Sequence, residues 1–171
     1  MTNLQIIEAE RISVEDIVVF DAIVFSPGPD LPLAGNIMER ILERWGSSRS
    51  ILGICLGLQA IYLFYGGKLK KLDEPVHGKK AKITRSEISS AILADMPAGF
   101  EAGLYHSWIA DPETLPGCLS ITAFSPEGRI MAISHNHLDI EAVQFHPESI
   151  MTPLGDQMIR NWLEKIISKK Q

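Results

Sequence analysis

The stretch SRSILGICLGLQAIYLFYGG, residues 48–67, changes period halfway along, and that change limits the folds open to the chain. Up to Ile54 it is an apolar run of the kind found in a strand buried on both faces. From Leu58 through Ile61, Tyr62 and Tyr65 the apolar residues follow helical spacing. A buried strand that passes straight into a helix is half of a βαβ unit, and the same alternation surrounds it. LQIIEAE (4–10) reads as a short strand and SVEDI (13–17) as a helical turn capped by Ser13. DAIVF (21–25) reads as a buried strand closed by the turn SPGPD. Residues 34–45, AGNIMERILERW, carry Ile37, Ile41 and Leu42 on one helical face. Continuous rather than alternating apolar strands predict an α/β fold: a doubly wound, mostly parallel central sheet flanked by helices on both faces.

The second half has another texture. KAKITR, AGLYHSW, SITAFSP, IMAISHN and EAVQFH are closely spaced strand candidates, and helical spacing returns only in LGDQMIRNWLEKIISKK. Additional β-strands are therefore expected there. No repeat, linker or low-complexity segment interrupts the chain, so residues 1–171 read as one domain, long enough to bury a substantial core with 46% hydrophobic residues.

Charge and cysteine content narrow the function classes. A net charge of −5, with basic runs limited to Lys68–Lys71 and Lys79-Lys80, argues against nucleic acid as a partner; the first run reads as a solvated face. No segment has the roughly 18 to 20 apolar residues of a membrane span, and the first residues lack a charged-then-apolar signal pattern, so neither membrane attachment nor export is expected. The expected location is the cytoplasm. Its two cysteines, Cys55 and Cys118, are then not expected to pair, and Cys118 in LPGCLSITAF reads as a small buried hydrophobe.

Cys55 sits in Gly53-Ile54-Cys55-Leu56-Gly57, at the junction of strand and helix. A nucleophile on such a turn is held clear of the backbone, and flanking glycines relieve the crowding of the bend. The amides and dipole at the start of the following helix favour negative charge on the sulfur. Gln59, four residues on, stands one turn along the same face. The pentapeptide alone serves equally well as a strand end with an inert core cysteine. VQFHPES shifts that balance: Pro147 keeps the backbone extended or turned, which puts His146 and Glu148 on one side, as base and orienter for a thiol. In DAIVFSPGPDLPLAG, Gly28 lies in a Pro-flanked turn where it can adopt a conformation closed to other residues. Its amide could pair with that of Leu56 as two donors to an oxyanion; the same residues also suit a plain Pro-Gly loop.

Together SPGP, GICLGLQ, LYHSW and VQFHPES resemble the class I, triad-type glutamine amidotransferase domain. VHGKKAKI, EGRIMAISH and FHPESIMTPLG are similar to the subgroup that includes anthranilate synthase component II and the amidotransferase subunit of para-aminobenzoate (aminodeoxychorismate) synthase. The resemblance runs from Leu4 to Leu163. It implies that Cys55 attacks the side-chain amide of L-glutamine, that His146 passes a proton to the leaving ammonia, and that Glu148 orients His146. Gly28 and Leu56 would supply the oxyanion amides, and Gln59, Ser107 and Trp108 would hold the substrate. The ammonia would pass to a chorismate-using synthase subunit, in tryptophan or folate biosynthesis. No cofactor is implied in this subunit, and His77, His106, His135 and His137 lack metal-ligand spacing.

Two other readings belong beside this one: a stand-alone γ-glutamyl hydrolase of the same fold, and an inactive partner-binding module. The chain also departs from the family pattern. Asp30 stands where the subgroup has glycine, and Leu58 where histidine is common; both are expected to tune activity rather than abolish it. His77 and His106 are expected to face the pocket or a partner, or else to be structural. Family members begin with a strand and loop reading roughly IDNYDSFTYN, then a helix, ahead of anything like LQIIEAE. Relative to the family, then, the first strand and helix are expected to be missing. A form extended upstream of Met1 is expected to be more stable and more active.

Overall fold

The computed structural model describes residues 3–29 and 31–169. Asp30 lies outside the described residues. The chain folds as β1 (Ala22–Phe25), α1 (Ile37–Trp45), β2 (Ser50–Ile54), α2 (Leu56–Phe64), β3 (Leu69–Arg85), β4 (Gly99–Ala110), β5 (Leu119–Phe124), β6 (Ile130–His135), β7 (Ile140–Val143) and α3 (Gly155–Ser168). It is a mixed α/β architecture built on a seven-stranded open sheet of order β1-β2-β7-β6-β5-β3-β4. β1, β2 and β7 run parallel, and every later pairing is antiparallel. Parallel pairing is thus less extensive than the apolar strands suggest and is confined to β1, β2 and β7, which lead into SPGP, the cysteine and the histidine segment respectively.

The helices cover both faces, as the continuous apolar strands require. Side chains of β2 alternate between two cores. Ile51 packs with Ile41 and Leu42 of α1 and with Ile61 and Tyr62 of α2. Leu52 and Ile54 pack on the other side with Met158 and Trp162 of α3. α1 begins where the Asn36 side chain accepts from the Glu39 amide at 3.0 Å, while Glu39 accepts in return from the Gly35 amide. Ser13 likewise accepts from the Asp16 amide, and the Asp16 carboxylate accepts from the Ser13 amide; that pair starts the short 3-10 turn Glu15–Val19.

α3 is anchored through a buried carboxylate. Glu141 on β7 accepts from Ser90 Oγ at 2.8 Å, from the amides of Ala91 and Ile92, and from Lys165 Nζ at 2.7 Å. Four donors compensate the loss of water around a charge that is 4% exposed.

The expected strand over 4–10 does not form. A 3-10 turn occupies Ala9–Arg11, and Leu4 and Ile6 are 80% and 93% exposed. Alternation yields a strand only where a neighbour completes the ladder, and among the described residues none pairs with the outer side of β1. β3 is much longer than KAKITR: it runs 17 residues against β4, with irregularities after Lys71 and after His77. Gly78 takes φ +63° at the second one, a conformation that suits glycine. No helix among the described residues is long and apolar enough to cross a membrane.

Candidate active site

Cys55 is the residue between β2 and α2, with φ 51° and ψ −97°, one of two non-glycine residues with positive φ among those described. Such backbone strain costs on the order of 1–3 kcal/mol and persists only where the surroundings over-determine it. Here they do. The Cys55 amide donates to Val143 O at 2.8 Å, the end of the β2–β7 ladder, and its carbonyl accepts from the Gln59 amide at 3.1 Å, the first turn of α2.

The flanking glycines are needed for contact rather than for unusual dihedrals. A Cβ on Gly53 would lie 2.6 Å from the Gly57 carbonyl carbon, and one on Gly57 would lie 2.5 Å from Phe25 O. Strand β1, the elbow and the start of α2 therefore meet with no room for a side chain. Gly28 behaves the same way: it is not among the positive-φ residues, so its expected special conformation is absent. What constrains it is Leu56, whose Cδ2 would stand 2.8 Å from an added Cβ. Gly28 and Leu56 are brought together. Leu56, as first residue of α2, carries one of the amides a helix start leaves without an internal partner.

The second half of the site descends from β7. Because β7 pairs with β2, the segment that follows Val143 emerges beside Cys55. Glu148 Oε1 lies 2.7 Å from His146 Nδ1. The His146 backbone is fixed from both sides: its amide donates to Gly103 O at 3.1 Å, and its carbonyl accepts from Thr152 Oγ1 at 2.6 Å. The Tyr105 ring stands edge-on to the imidazole at 4.9 Å, with its hydroxyl 3.0 Å from Ser149 Oγ. α3 closes against this loop so tightly that a Cβ on Gly155 would overlap Pro147 O.

Electrostatically, burial disfavours charge on His146, but hydrogen bonding and charge attraction at the Cys55 sulfur and the Glu148 carboxylate outweigh it and raise its pKa to about 9. Burial pushes the Glu148 carboxyl up, and the hydrogen bond to His146 more than reverses this, leaving it below the usual range. His146 Nε2 is buried and has no well-formed hydrogen bond among the described residues.

Gln59, Ser107 and Trp108 differ in how they join the site. Gln59 is 4% exposed; its Nε2 donates to Trp108 O at 3.0 Å and, at the long limit of a hydrogen bond, to Gln144 Oε1 at 3.5 Å. Both amide hydrogens are thus directed inward, and its carbonyl oxygen is the atom left for a ligand. The Ser107 hydroxyl is instead 3.3 Å from His77 Nε2 on β3. Lys71 lies 6.0 Å over the Trp108 ring. Leu58, at the position where histidine is common in the family, is a fully buried core residue.

Sequence patterns alone do not single out Gln144, Tyr105 and Thr152. Gln144 is wholly buried, and its Nε2 is 3.4 Å from Cys55 Sγ. The usable signal is a polar residue inside the apolar run EAVQF, since a buried amide must find partners. His106 is also buried, and neither ring nitrogen has a partner among the described residues. Burial, with Arg129, His146 and His77 nearby, lowers its pKa to about 4, so it is neutral near pH 7.

The model of the family Glutamine amidotransferase class-I matches residues 2–166. The chain belongs to that family. Its relatives include a Haemophilus influenzae protein assigned as anthranilate synthase component II, 43% identical over 144 residues, which cover 84% of this amidotransferase and 74% of the relative. A Bacillus subtilis protein named aminodeoxychorismate/anthranilate synthase component 2 is 42% identical, with 84% and 73% covered. Among solved structures, that of a Thermoplasma acidophilum protein assigned as part of a GMP synthase superposes with a TM-score of 0.78 at 25% identity, covering 92% of this amidotransferase and 78% of that chain.

Proposed function

We propose that this amidotransferase hydrolyses L-glutamine through a cysteinyl thioester and delivers the ammonia to a chorismate-aminating synthase subunit. One observation carries the first half: a glycine-flanked cysteine at a helix start, bonded through its amide to Val143 at the end of β7, from which the chain runs directly to a paired His146 and Glu148. The second half is supported by the names of the relatives, which describe component 2 of anthranilate or aminodeoxychorismate synthases.

In this reading the Cys55 thiol passes its proton to His146, and the sulfur then attacks the side-chain carbonyl carbon of glutamine. A C–S bond forms, and the carbonyl electron pair moves to oxygen, stabilised by the amides of Gly28 and Leu56. The tetrahedral species collapses, the C–N bond breaks, and His146 protonates the leaving nitrogen. His146, now neutral, takes a proton from the water that hydrolyses the thioester, which releases glutamate and returns the sulfur and the imidazolium to the state that preceded attack. Glu148 holds the imidazole by its other nitrogen. Gln59 offers its carbonyl oxygen to the substrate, and Ser107 and Trp108 complete the pocket from β4.

The raised pKa of His146 fixes a pH dependence. Below about 9 His146 carries the proton required by the leaving nitrogen, and above it the proton is lost. Glutamine turnover is expected to fall as pH rises through about 9. Glu148→Gln removes an interaction that favours the charged ring and should move that alkaline limb to lower pH, which a pH–rate profile of both proteins checks.

The experiment that tests the whole reading measures glutamate release from L-glutamine by the purified chain, with and without a chorismate-aminating synthase subunit. Hydrolysis that rises at least several-fold with the partner, coupled to amination of chorismate, is the expected result. Hydrolysis of γ-glutamyl peptides, indifferent to the partner, would assign a stand-alone hydrolase instead.

A further inference from the structure

The site holds a carboxamide to which the mechanism above gives no task. Gln144 follows β7 directly and is 0% exposed, so water cannot stand in for its partners. Its backbone amide donates to Met131 O at 2.8 Å, which ties the residue to β6. Its side chain faces two groups of the site: Nε2 lies 3.4 Å from Cys55 Sγ, and Oε1 lies 3.5 Å from Gln59 Nε2. Gln59 Nε2 is in turn held by Trp108 O at 3.0 Å. A continuous chain of amides thus runs from the β4 backbone through Gln59 and Gln144 to the sulfur. A buried amide left without partners is costly, so this chain also fixes which way each carboxamide points.

Resting on the reading of Cys55 as nucleophile, we infer that Gln144 is a positioning residue for its sulfur. The Gln144 N–H donates to Sγ and holds it on the substrate side of a strained elbow. The same donor acts again when the thioester is hydrolysed. As the tetrahedral species formed by water collapses, the C–S bond breaks and the sulfur leaves with the electron pair. An N–H aimed at the sulfur stabilises the charge that develops there. Gln144 touches neither substrate nor water in this scheme; it acts through Cys55. Gln59 orients Gln144 from behind, which couples the residue assigned to substrate binding to the reacting sulfur.

Two variants of nearly the same size test this. Gln144→Met keeps the volume and removes both polar atoms; Gln144→Glu keeps the shape but replaces the amide donor by a carboxyl group. Both proteins are assayed for glutamate release with the synthase subunit present, for melting temperature, and, after acid quenching, for γ-glutamyl thioester on Cys55 by mass spectrometry. The expected result is a fall in kcat of roughly tenfold or more in each, the loss expected when a donor to a charged group is removed, with KM unchanged or lower and thioester accumulating. Wild-type kcat in Gln144→Met would overturn the inference, because volume alone would then suffice. A rise in KM at constant kcat would overturn it too, by assigning Gln144 to substrate binding through Gln59. If one variant does not fold, the other decides by the same criteria; if neither folds, Gln144 belongs to the framework and the inference fails. These outcomes are separable from a failure of the nucleophile assignment. That failure would appear as hydrolysis surviving Cys55→Ala, and as the absence of any thioester in the wild-type protein.

Discussion

Replacing Cys55 with alanine is expected to lower glutamine hydrolysis by about four orders of magnitude or more, the scale on which removal of a triad nucleophile acts in other hydrolases. The protein itself should survive. Cys55 is 6% exposed and belongs to a core cluster, so the variant loses one sulfur atom while the elbow remains tied through its backbone to Val143 and Gln59. Amination of chorismate from added ammonium, catalysed by the synthase subunit, should continue in the complex at the unmodified rate. Measuring both rates on the same preparation separates loss of chemistry from loss of assembly. Glutamine hydrolysis at the wild-type rate in Cys55→Ala would remove the cysteine from the mechanism.

Gly57→Ala is expected to destabilise the fold by about 3 kcal/mol or more and to abolish activity, although in an ordinary helix the same change stabilises by about 1 kcal/mol. The sign reverses because the added Cβ would stand 2.5 Å from Phe25 O and 2.8 Å from Phe25 Cβ. One neighbour is backbone, on a strand hydrogen-bonded to β2, and it can yield only by pulling β1 from the elbow. Gly117, with nothing within 4 Å of an added Cβ, is the control whose alanine variant should melt like the wild-type protein. Thermal unfolding of the two variants checks the prediction, and equal melting temperatures would show that the elbow has slack absent from this structure.

Much of this was legible in the chain. The glycine-flanked cysteine between an apolar run and a helical period marked the junction of strand and helix, and VQFHPES, where Pro147 excludes a helix, tipped the choice between an inert strand end and a reactive elbow. The register that brings these segments together was not legible, since it depends on β7 inserting beside β2 from far along the chain. LQIIEAE misled because its alternation is a local property, whereas a strand needs a partner. β3 was underestimated for a complementary reason. Leu69–Arg85 is rich in lysine and acidic residues, with Pro75 and Gly78, a composition that reads as solvated loop; it is extended because it pairs along one side with β4 and is mostly exposed. Gln144 escaped notice because a single amide in an apolar stretch says that partners exist without saying which.

Strand order also has a consequence for the route by which the protein folds. β7 is the last strand in the chain, yet it lies third in the sheet, between β2 and β6. Until it docks, the pair β1–β2 and the antiparallel set β6-β5-β3-β4 have no strand in common. Closing that gap brings together residues such as Cys55 and Gln144, 89 apart in sequence, so its loop-closure entropy is large and docking of β7 is expected late in folding. Cys55 and His146, the proposed nucleophile and its base, therefore meet in the same event that unites the sheet. On the proposed reading, a chain whose β7 has not docked holds Cys55 apart from His146 and is expected to leave glutamine uncleaved.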